Sequence, residues 1–471
     1  MEKVKKLILP ENLLCFFIIL CPILDISSFL FRNKFETNYS ISTFIRPIIP
    51  VIVFTYIFLK QKMKTKFSMI GICAIYAIYG MAHLYLFNNM ITKCSFGTLT
   101  HEAQYIVNYS FMILNLFVFG YVFNSENNFK LKRSIVISLA IYIISIYVSI
   151  ITNTSSPTYI EGIGYKGWFE SGNSISAILL LSTFIIMSFI MKIQNKIARS
   201  IVFSIILIVG IYLMTLIGTR VGLIGFVLAS LCFIIAQIIE KMVAKEKINK
   251  KNFLIFLSVL FLLITVVIIA GSVTVQRRKH LQNMESTIID ESTGQVSNLT
   301  GDLTTYRNKI INNEIDDDFM TQAQKQSIID LYDVAKKYNV SNTNTRIQQL
   351  IYHVMLVKNQ KNVLLILIGN GYLINTNELV WEMEFPAFLL NFGIVGFMLY
   401  MIPFIAILLQ ALIVFIKKIK KIDSEFMMLL FAVLLSFVLS TLSGYTFFNS
   451  SSMIIIIIAN ILLRIKVKKI N

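Results

Sequence analysis

Charged residues are scarce in this chain, at 14% of 471 residues, whereas hydrophobic residues make up 56%. In a typical soluble domain about a quarter of the residues are charged, so the composition excludes an ordinary soluble globular protein. Apolar runs of about 20 residues, the length that a helix needs to cross the hydrocarbon core of a bilayer, recur along the sequence. Each run is predicted to be helical, because backbone groups that face lipid have no other hydrogen-bond partners.

Cysteine and histidine are also rare, with five and four residues respectively. Four of the cysteines fall in predicted spans and Cys94 stands alone in a loop, which excludes the disulfide framework of an exported protein. The histidines show none of the spacings of a metal site; they are His83, His101, His280 and His353. We therefore predict neither a metal centre nor a cofactor.

The apolar runs predict an all-α polytopic membrane protein with about 12 transmembrane helices. The predicted spans lie near residues 11–31, 40–59, 67–87, 103–123, 134–152, 173–191, 200–217, 221–239, 252–272, 387–416, 425–446 and 451–465. No small-residue cleavage site follows the first run, so we interpret it as a retained span and not as a removable signal peptide.

Lysine and arginine collect in every second connection between these spans, for example at residues 60–66, 241–251 and 417–421. This alternation is the positive-inside pattern, which predicts that both termini are cytoplasmic. The net charge of +18 is therefore a topology signal, with attraction to anionic lipid head groups as a secondary effect. It does not predict nucleic-acid binding.

The longest polar stretch separates the ninth and tenth predicted spans, and the topology places it outside the cytoplasm. It divides the chain into residues 1–271 with nine spans, an extracytoplasmic loop domain at 272–386, and residues 387–471 with three spans. The loop domain is predicted to be partly helical. One helix is expected over 321–338, after three aspartates that suit a helix N-terminus, and a second helix starts after Asn344.

The second loop helix has an amphipathic pattern. Its apolar residues recur at i, i+3, i+4, i+7 and i+8; they are Ile347, Leu350, Ile351, Val354 and Met355. The opposite side carries Arg346, Gln349 and His353. A short apolar run follows and ends at the turn signal formed by Gly369 and Gly371.

Two charges lie inside consecutive spans. Asp25 and Arg46 are each about six residues from the outer end of their span, or roughly 9 Å deep at 1.5 Å per residue. Because unpaired charge inside a membrane is costly, we expect a structural ion pair that joins the two helices. A functional role is the alternative, since charged residues in spans are the first candidates for function.

Arg220 stands in the segment GTRVG, in a short connection between the seventh and eighth predicted spans at the outer surface. A basic residue at that surface departs from the inside-positive pattern and needs an anionic partner. Its guanidinium offers a planar fork of donors that suits phosphate. The simpler interpretation is an arginine that reaches the phosphates of outer lipids.

Two further segments lie at the outer edge of the membrane. Glu382 and Glu384 stand where the loop domain meets the tenth span, and a carboxylate shielded from water there suits a general base. An ordinary solvated pair of glutamates is the alternative. Residues 162–173 (GIGYKGWFESGN) form an outer loop whose glycines permit a tight turn and whose Trp168 suits the interface. A plain aromatic interfacial loop explains this pattern equally well.

The chain resembles the bacterial O-antigen polymerase and O-antigen ligase superfamily in four segments that occur in the right order. GWFESGN at 167–173 is similar to the family's Gly-x-Phe-x-x-x-Asn segment, which stands before a span. GTRVG at 218–222 is similar to its Ser/Thr-Arg-x-Gly segment.

The other two segments of the resemblance frame the end of the loop domain. NTR followed by GNG at 369–371 resembles the arginine-led helix and the glycine turn that close the family's large outer loop. EME at 382–384 followed by NFGIVG at 391–396 is similar to the start of its next span. The resemblance covers roughly residues 150–415, and the first four spans match only in hydropathy.

The resemblance implies a GT-C-like membrane enzyme in the bacterial cytoplasmic membrane, with its active site on the extracytoplasmic face. Such an enzyme transfers a glycan from a polyprenyl-diphosphate carrier without a metal. In this interpretation Arg220 and Arg346 stabilise the diphosphate, and Glu384, with Glu382 as second choice, acts as general base. The implied partners are the lipid-linked oligosaccharide, membrane lipids, a flippase and chain-length regulator proteins.

Five further residues are implied as substrate-binding: Trp168, Asn173, Gly369, Gly371 and His353. His353 lies one helix before the glycine turn, so it reaches the site only through folding. A structural role for His353 is the alternative.

One departure separates this chain from the ligases of the superfamily, which typically carry a His-Asn pair just ahead of the glycine pair. The corresponding stretch here holds Glu382 and Glu384 and no histidine, so we expect a polymerase that joins repeat units of a cell-surface polysaccharide. Transfer of a finished polysaccharide to a cell-wall or lipid acceptor is the first alternative. A lipid-linked glycan flippase or transporter is the second, although the chain lacks the two comparable halves common in transporters.

Overall fold

The computed structural model describes residues 9–35, 41–88, 98–124, 129–159, 162–243, 273, 275–277, 279, 302–317, 320–338, 340, 345–371, 383–444 and 446–471. Helices α1 to α8 are Pro10–Phe35, Ile41–Lys60, Met63–Leu86, Thr98–Val122, Phe129–Ile151, Gly172–Ile190, Lys196–Ile217 and Arg220–Val243. Helices α9 to α12 are Asp302–Ile311, Gln322–Lys337, Thr345–Gln360 and Val363–Ile368, and α13 to α15 are Glu384–Lys417, Ser424–Leu442 and Ser450–Ile470. A two-stranded antiparallel hairpin, β1 (Ser156–Pro157) and β2 (Tyr165–Gly167), stands between α5 and α6.

The prediction of an all-α polytopic membrane protein is confirmed. Within the described ranges, nine helices are long and apolar enough to cross a membrane. Helices α1 to α8 and α13 to α15 coincide with predicted spans. The ninth predicted span, near 252–272, lies outside the described residues.

Polar residues at helix starts explain where two of the spans begin. The Ser171 side chain precedes α6 and accepts a hydrogen bond from the backbone N–H of Ser174 at 3.3 Å. Asp423 precedes α14 and accepts from the backbone N–H of Phe426 at 2.8 Å. Such caps satisfy N–H groups that have no partner inside the helix.

The chain divides into two compact units, of which the first comprises Met1–Gln61, Phe111–Gln276 and Pro403–Asn471. Helices α6 and α15 form the centre of this unit, because 89% of the most apolar 18-residue stretch of each helix is buried. Both helices are apolar around most of their circumference, as expected of a helix surrounded by other helices. Helix α6 packs against α8 and α14.

A buried polar network crosses the first unit. Arg46 on α2 forms an ion pair with Asp25 on α1, and the two side chains are only 8% and 20% exposed. The Tyr142 hydroxyl on α5 donates to the second oxygen of Asp25 at 2.6 Å. Arg46 also donates to Ser450 at the start of α15. Four helices are therefore held by one ion pair and its neighbours, which is the arrangement expected of a structural pair.

The second unit comprises Lys62–Ser110 and Arg277–Ile402. Its hydrophobic core contains Phe87, Ile310, Met320, Ile328, Leu331, Ala335, Tyr352, Leu356 and Leu365. The first predicted loop helix is α10, which begins with a capping box: Thr321 accepts from the Gln324 backbone N–H at 3.3 Å, and the Gln324 side chain accepts from the Thr321 backbone N–H at 2.8 Å.

The second predicted loop helix is α11, but of its predicted apolar stripe only Ile351 packs against the core, and three other members are exposed. Ile347, Leu350 and Val354 are 42%, 38% and 48% exposed. Tyr352 and Leu356, on another side of the helix, are fully buried in the core of the unit. Tyr352 and Leu356 fix the rotation of α11. Ile347, Leu350 and Val354 are therefore left on the surface of the unit.

Candidate functional site

The Arg220 segment forms a tight corner between α7 and α8 in the first unit. Gly218 has a φ of 77°, a conformation that favours glycine. The Thr219 hydroxyl accepts from the backbone N–H of Gly222 at 3.1 Å and hydrogen-bonds Ser176 on α6 at 2.6 Å. A Cβ on Gly222 would lie 2.4 Å from the sulfur of Met214. The glycines and the threonine of the GTRVG segment therefore build the corner that presents Arg220.

Arg220 is the first residue of α8, and its side chain is exposed. It forms no hydrogen bond or ion pair within the described residues, whereas Arg46 pairs with Asp25 and Arg32 pairs with Glu170. The free N–H groups and the dipole at a helix N-terminus also favour an anion. Two independent sources of positive potential thus meet at this corner.

The glycine-rich outer loop packs on the same corner. The Tyr159 hydroxyl donates to the backbone oxygen of Gly218 at 3.1 Å. A Cβ on Gly164 would lie 2.6 Å from the backbone oxygen of Ile217, so only a glycine permits this approach. The structure therefore brings together two of the segments that carry the family resemblance.

The two substrate-binding candidates of this loop differ in their surroundings. The Trp168 indole N–H donates to the Thr154 hydroxyl at 2.9 Å, which fixes the ring on the loop itself. Asn173 is half-buried in the first turn of α6 and forms no hydrogen bond with the described part of the chain. Phe169, between them, is buried against the Tyr142 ring, with a centroid distance of 5.3 Å.

The other two segments of the resemblance meet in the second unit. Helix α13 is kinked at Gly393, whose φ is 68°, about 14 Å along the helix from Glu384 at 1.5 Å per residue. The backbone N–H of Asn370 donates to the Leu390 oxygen at 2.9 Å, and that of Gly371 donates to the Asn391 oxygen at 2.8 Å. The glycine turn is therefore bonded to carbonyls of the kinked span.

Close backbone approach explains the glycines of this contact. A Cβ on Gly369, whose φ is 101°, would lie 2.1 Å from the Asn391 backbone oxygen. A Cβ on Gly371 would lie 2.2 Å from the Phe87 ring. The structure thus gives Gly369 and Gly371 a packing role in joining the turn to the span.

A histidine and a glutamate that the sequence analysis did not select lie beside this turn. His83 on α3 and Glu102 on α4 are 2.7 Å apart, and both side chains are 0% exposed. The second ring nitrogen of His83 lies 2.8 Å from the backbone oxygen of Ile368, and the ring stacks on Phe392. The Tyr79 hydroxyl donates to the Phe392 oxygen at 2.6 Å. These side chains hold the glycine turn and the kink in place.

Asn370, between the two glycines, is completely buried, and neither its amide oxygen nor its amide nitrogen has a hydrogen-bond partner among the described residues. A buried amide without partners is costly. Asn391, on α13, also has a buried side-chain oxygen without a partner in the described ranges. Both residues belong to the contact between the glycine turn and the kinked span.

The remaining candidates belong to the second unit. Glu384 is buried at the first residue of α13, at 7% exposure. Arg346 is half-buried at the second residue of α11, and His353 is buried two turns further along the same helix in edge contact with Tyr352. Glu382 lies outside the described residues. Among the described residues, no three His, Cys, Asp or Glu side chains are grouped as metal ligands.

The fold defines this protein as a polytopic α-helical membrane protein whose signature segments meet pairwise, at the Arg220 corner and at the Gly393 kink. The family described as O-antigen ligase like membrane protein matches the chain over residues 9–470. The chain belongs to this family and is a membrane enzyme of O-antigen or related glycan processing. None of the curated proteins compared with it matches the chain.

Proposed function

We propose that the protein is a glycosyltransferase that polymerises oligosaccharide repeat units carried on a polyprenyl diphosphate. The observation that carries this proposal is Arg220, an exposed guanidinium at a helix N-terminus that has no partner among the described residues. A diphosphate is a ligand that suits this combination of a planar donor fork and a helix end.

The chemistry requires one bond to form and one to break. The hydroxyl oxygen of an acceptor sugar attacks the anomeric carbon of the donor, and the bond from that carbon to the diphosphate oxygen breaks. Charge develops on the leaving diphosphate, and donors already in place stabilise it. We assign this role to Arg220 and Arg346, so that no metal is needed.

The proton of the attacking hydroxyl requires a base. We assign this role to Glu384, with Glu382 as the second choice, because proton removal as the bond forms makes the hydroxyl a better nucleophile. Glu384 is buried at the start of α13, and this shielding from water supports its choice.

The positive-inside pattern supports a cytoplasmic location for both termini and an extracytoplasmic location for Arg220. In a bacterial cytoplasmic membrane this is the face on which a flippase delivers lipid-linked oligosaccharide. Chain-length regulator proteins are the further partners of such a polymerase.

A ligase is the second candidate, favoured by the description of the family to which the chain belongs. It would use the same donor and the same leaving group but transfer a finished polysaccharide once, to a cell-wall or lipid acceptor. The glutamates at 382 and 384, in the place of a His-Asn pair, favour the polymerase.

The product pattern distinguishes the two activities. The full chain is reconstituted in vesicles with a polyprenyl-diphosphate-linked oligosaccharide and without added metal, and the products are separated on a gel. A ladder spaced by one repeat unit is expected of the polymerase. A single new product that requires an added cell-wall or lipid acceptor would instead identify a ligase, and protection of the donor from an external enzyme without any product would identify a transporter.

A further inference from the structure

A cavity of about 410 Å³ opens between the end of α1 and the β-hairpin of the outer loop, entirely within the first unit. Its size falls within the range of small-molecule sites, about 300–1,000 Å³. The polar residues of its wall are Arg32, Asn33, Ser156, Thr158, Tyr159, Lys166 and Glu170. Phe29 adds an apolar surface.

The wall carries two cations, Arg32 and Lys166, and one carboxylate, Glu170. Arg32 pairs with the Glu170 carboxylate at 3.0 Å, and the Lys166 ammonium donates to the Glu170 backbone oxygen at 3.0 Å. Partial burial lowers the pKa of Lys166, and the nearby Glu170 partly offsets this effect. The wall therefore offers several donors together with a carboxylate acceptor that offsets one of its two positive charges.

Two polar groups of the wall lack partners in the part of the chain that the structure describes. The Thr158 hydroxyl oxygen is buried and has no hydrogen-bond partner there. The Asn33 side chain forms no hydrogen bond within the described chain, although it is exposed. A buried hydroxyl without a partner costs free energy, so a ligand that hydrogen-bonds Thr158 would recover that cost.

We propose that this cavity is a saccharide subsite that binds a neutral sugar unit of the glycan, a proposal that rests on the proposed glycosyl transfer. A sugar hydroxyl both donates and accepts, so it suits a wall that mixes a guanidinium, an amide, hydroxyls and a carboxylate. The Phe29 and Tyr159 rings offer apolar faces to the C–H groups of a sugar ring. An anionic lipid head group would meet the Glu170 carboxylate, which stands in the wall and pairs with Arg32.

The cavity adjoins the Arg220 corner through the outer loop. Tyr159 lines the cavity, and its hydroxyl donates to the backbone oxygen of Gly218, two residues before Arg220. Thr158 also lines the cavity and lies against Gly172, where a Cβ would be 2.5 Å from the threonine methyl. A glycan whose diphosphate binds Arg220 therefore has a polar cavity beside its first sugars.

The subsite is tested with sugar alone, so that the diphosphate plays no part. The probe is the oligosaccharide repeat released by acid from the surface polysaccharide of the source cells. It is titrated onto the full chain in detergent, in a Trp381→Phe background, so that Trp168 reports the binding. Trp168 stands between Lys166 and Glu170 in the sequence, and a saturable change in its fluorescence is expected.

The variants separate binding from structure. Thr158→Val replaces the hydroxyl with a methyl group of similar size; we expect unchanged or higher thermal stability and about tenfold weaker binding, equivalent to about 1.4 kcal/mol. Glu170→Gln and Asn33→Ala are each expected to weaken binding severalfold. Glu11→Gln is the matched control, because Glu11 also forms a surface ion pair, with Lys130 at 3.2 Å, but does not line the cavity.

Several outcomes would overturn the subsite: no saturable binding, equal binding by all variants, or displacement of the sugar by vesicles of anionic phospholipid. The two proposals fail separately. A repeat-unit ladder without binding of the free oligosaccharide would retain the glycosyl transfer and remove the subsite. Binding that depends on Thr158 and Glu170, without any transfer product, would retain the subsite and remove the transferase.

Discussion

The geometry of the buried pair of His83 and Glu102 indicates that the two side chains share one proton. The Ile368 backbone oxygen can only accept, so the His83 nitrogen that lies 2.8 Å from it carries a hydrogen. The other ring nitrogen faces the Glu102 carboxyl at 2.7 Å, and one proton lies between them. The pair is therefore either a histidinium with a carboxylate or a neutral histidine with a carboxylic acid, and it has no net charge in either form.

The variants Glu102→Gln and Glu102→Leu should differ in stability for this reason. A glutamine amide donates to the neutral ring nitrogen, so the hydrogen bond survives and the expected loss is below about 1 kcal/mol. Leucine leaves that nitrogen buried without a partner. The penalty for such a group is about 1–3 kcal/mol, and it approaches about 3–5 kcal/mol if His83 stays charged.

The measurement is the thermal unfolding midpoint of the purified full chain in detergent. We expect Glu102→Gln to stay close to the wild type and Glu102→Leu to unfold at a clearly lower temperature, with Glu11→Leu as an exposed control. Equal midpoints for wild type and both variants would refute the reasoning. If glutamine were as damaging as leucine, the charge of the carboxylate, and not its hydrogen bond, would be the stabilising feature.

Three further predictions concern other parts of the structure. Gly369→Ala should sharply reduce the folded yield in detergent, because neither the positive φ of Gly369 nor its close contact with Asn391 leaves room for a Cβ. The control is Gly71→Ala in helix α3, where a Cβ would have nothing within 4 Å; it should be neutral or stabilising by up to about 1 kcal/mol. Asp25→Ala leaves Arg46 buried without its charge partner and should cost about 3–5 kcal/mol in unfolding free energy, whereas a charge-free pair, Asp25→Leu with Arg46→Met, should recover much of that loss. Glu384→Gln should abolish glycan product without changing membrane insertion; retained product would remove Glu384 from the mechanism.

Hydropathy was sufficient to predict the membrane helices, because a long apolar run has no stable alternative in lipid. The first loop helix was predicted after three aspartates, and in the structure it begins with the capping box at Thr321 and Gln324. The rotation of α11 was not predictable from the sequence, because hydrophobic periodicity alone cannot tell whether an apolar stripe faces a core or lies on the surface. There the packing of Tyr352 decided the orientation.

His83 and Glu102 were missed for a related reason. They lie on different helices, 19 residues apart, and no local motif links them. Each is an ionisable residue within or beside an apolar span, which is the signal that marks a costly and therefore meaningful residue. The predicted fourth span began one residue after Glu102, so the glutamate was treated as part of a connection.

The order of the four signature segments along the chain indicates the family but does not show which segments are in contact. Their order indicated the family, but only the structure shows that the outer loop packs on the Arg220 corner and that the glycine turn bonds the Gly393 kink. Both contacts depend on positive-φ glycines and backbone carbonyls, which leave little trace in side-chain pattern.

The most direct test of the central claim is the initial rate of repeat-unit transfer by Arg220→Ala in reconstituted vesicles. Arg464→Ala serves as control, because Arg464 is also an exposed arginine. Loss of one preplaced donor to a developing charge typically costs about 10²–10³-fold in rate. We expect a loss of that size for Arg220→Ala, partial activity for Arg220→Lys and a normal rate for the control. A rate for Arg220→Ala within about twofold of the control would contradict the claim that Arg220 stabilises the leaving diphosphate.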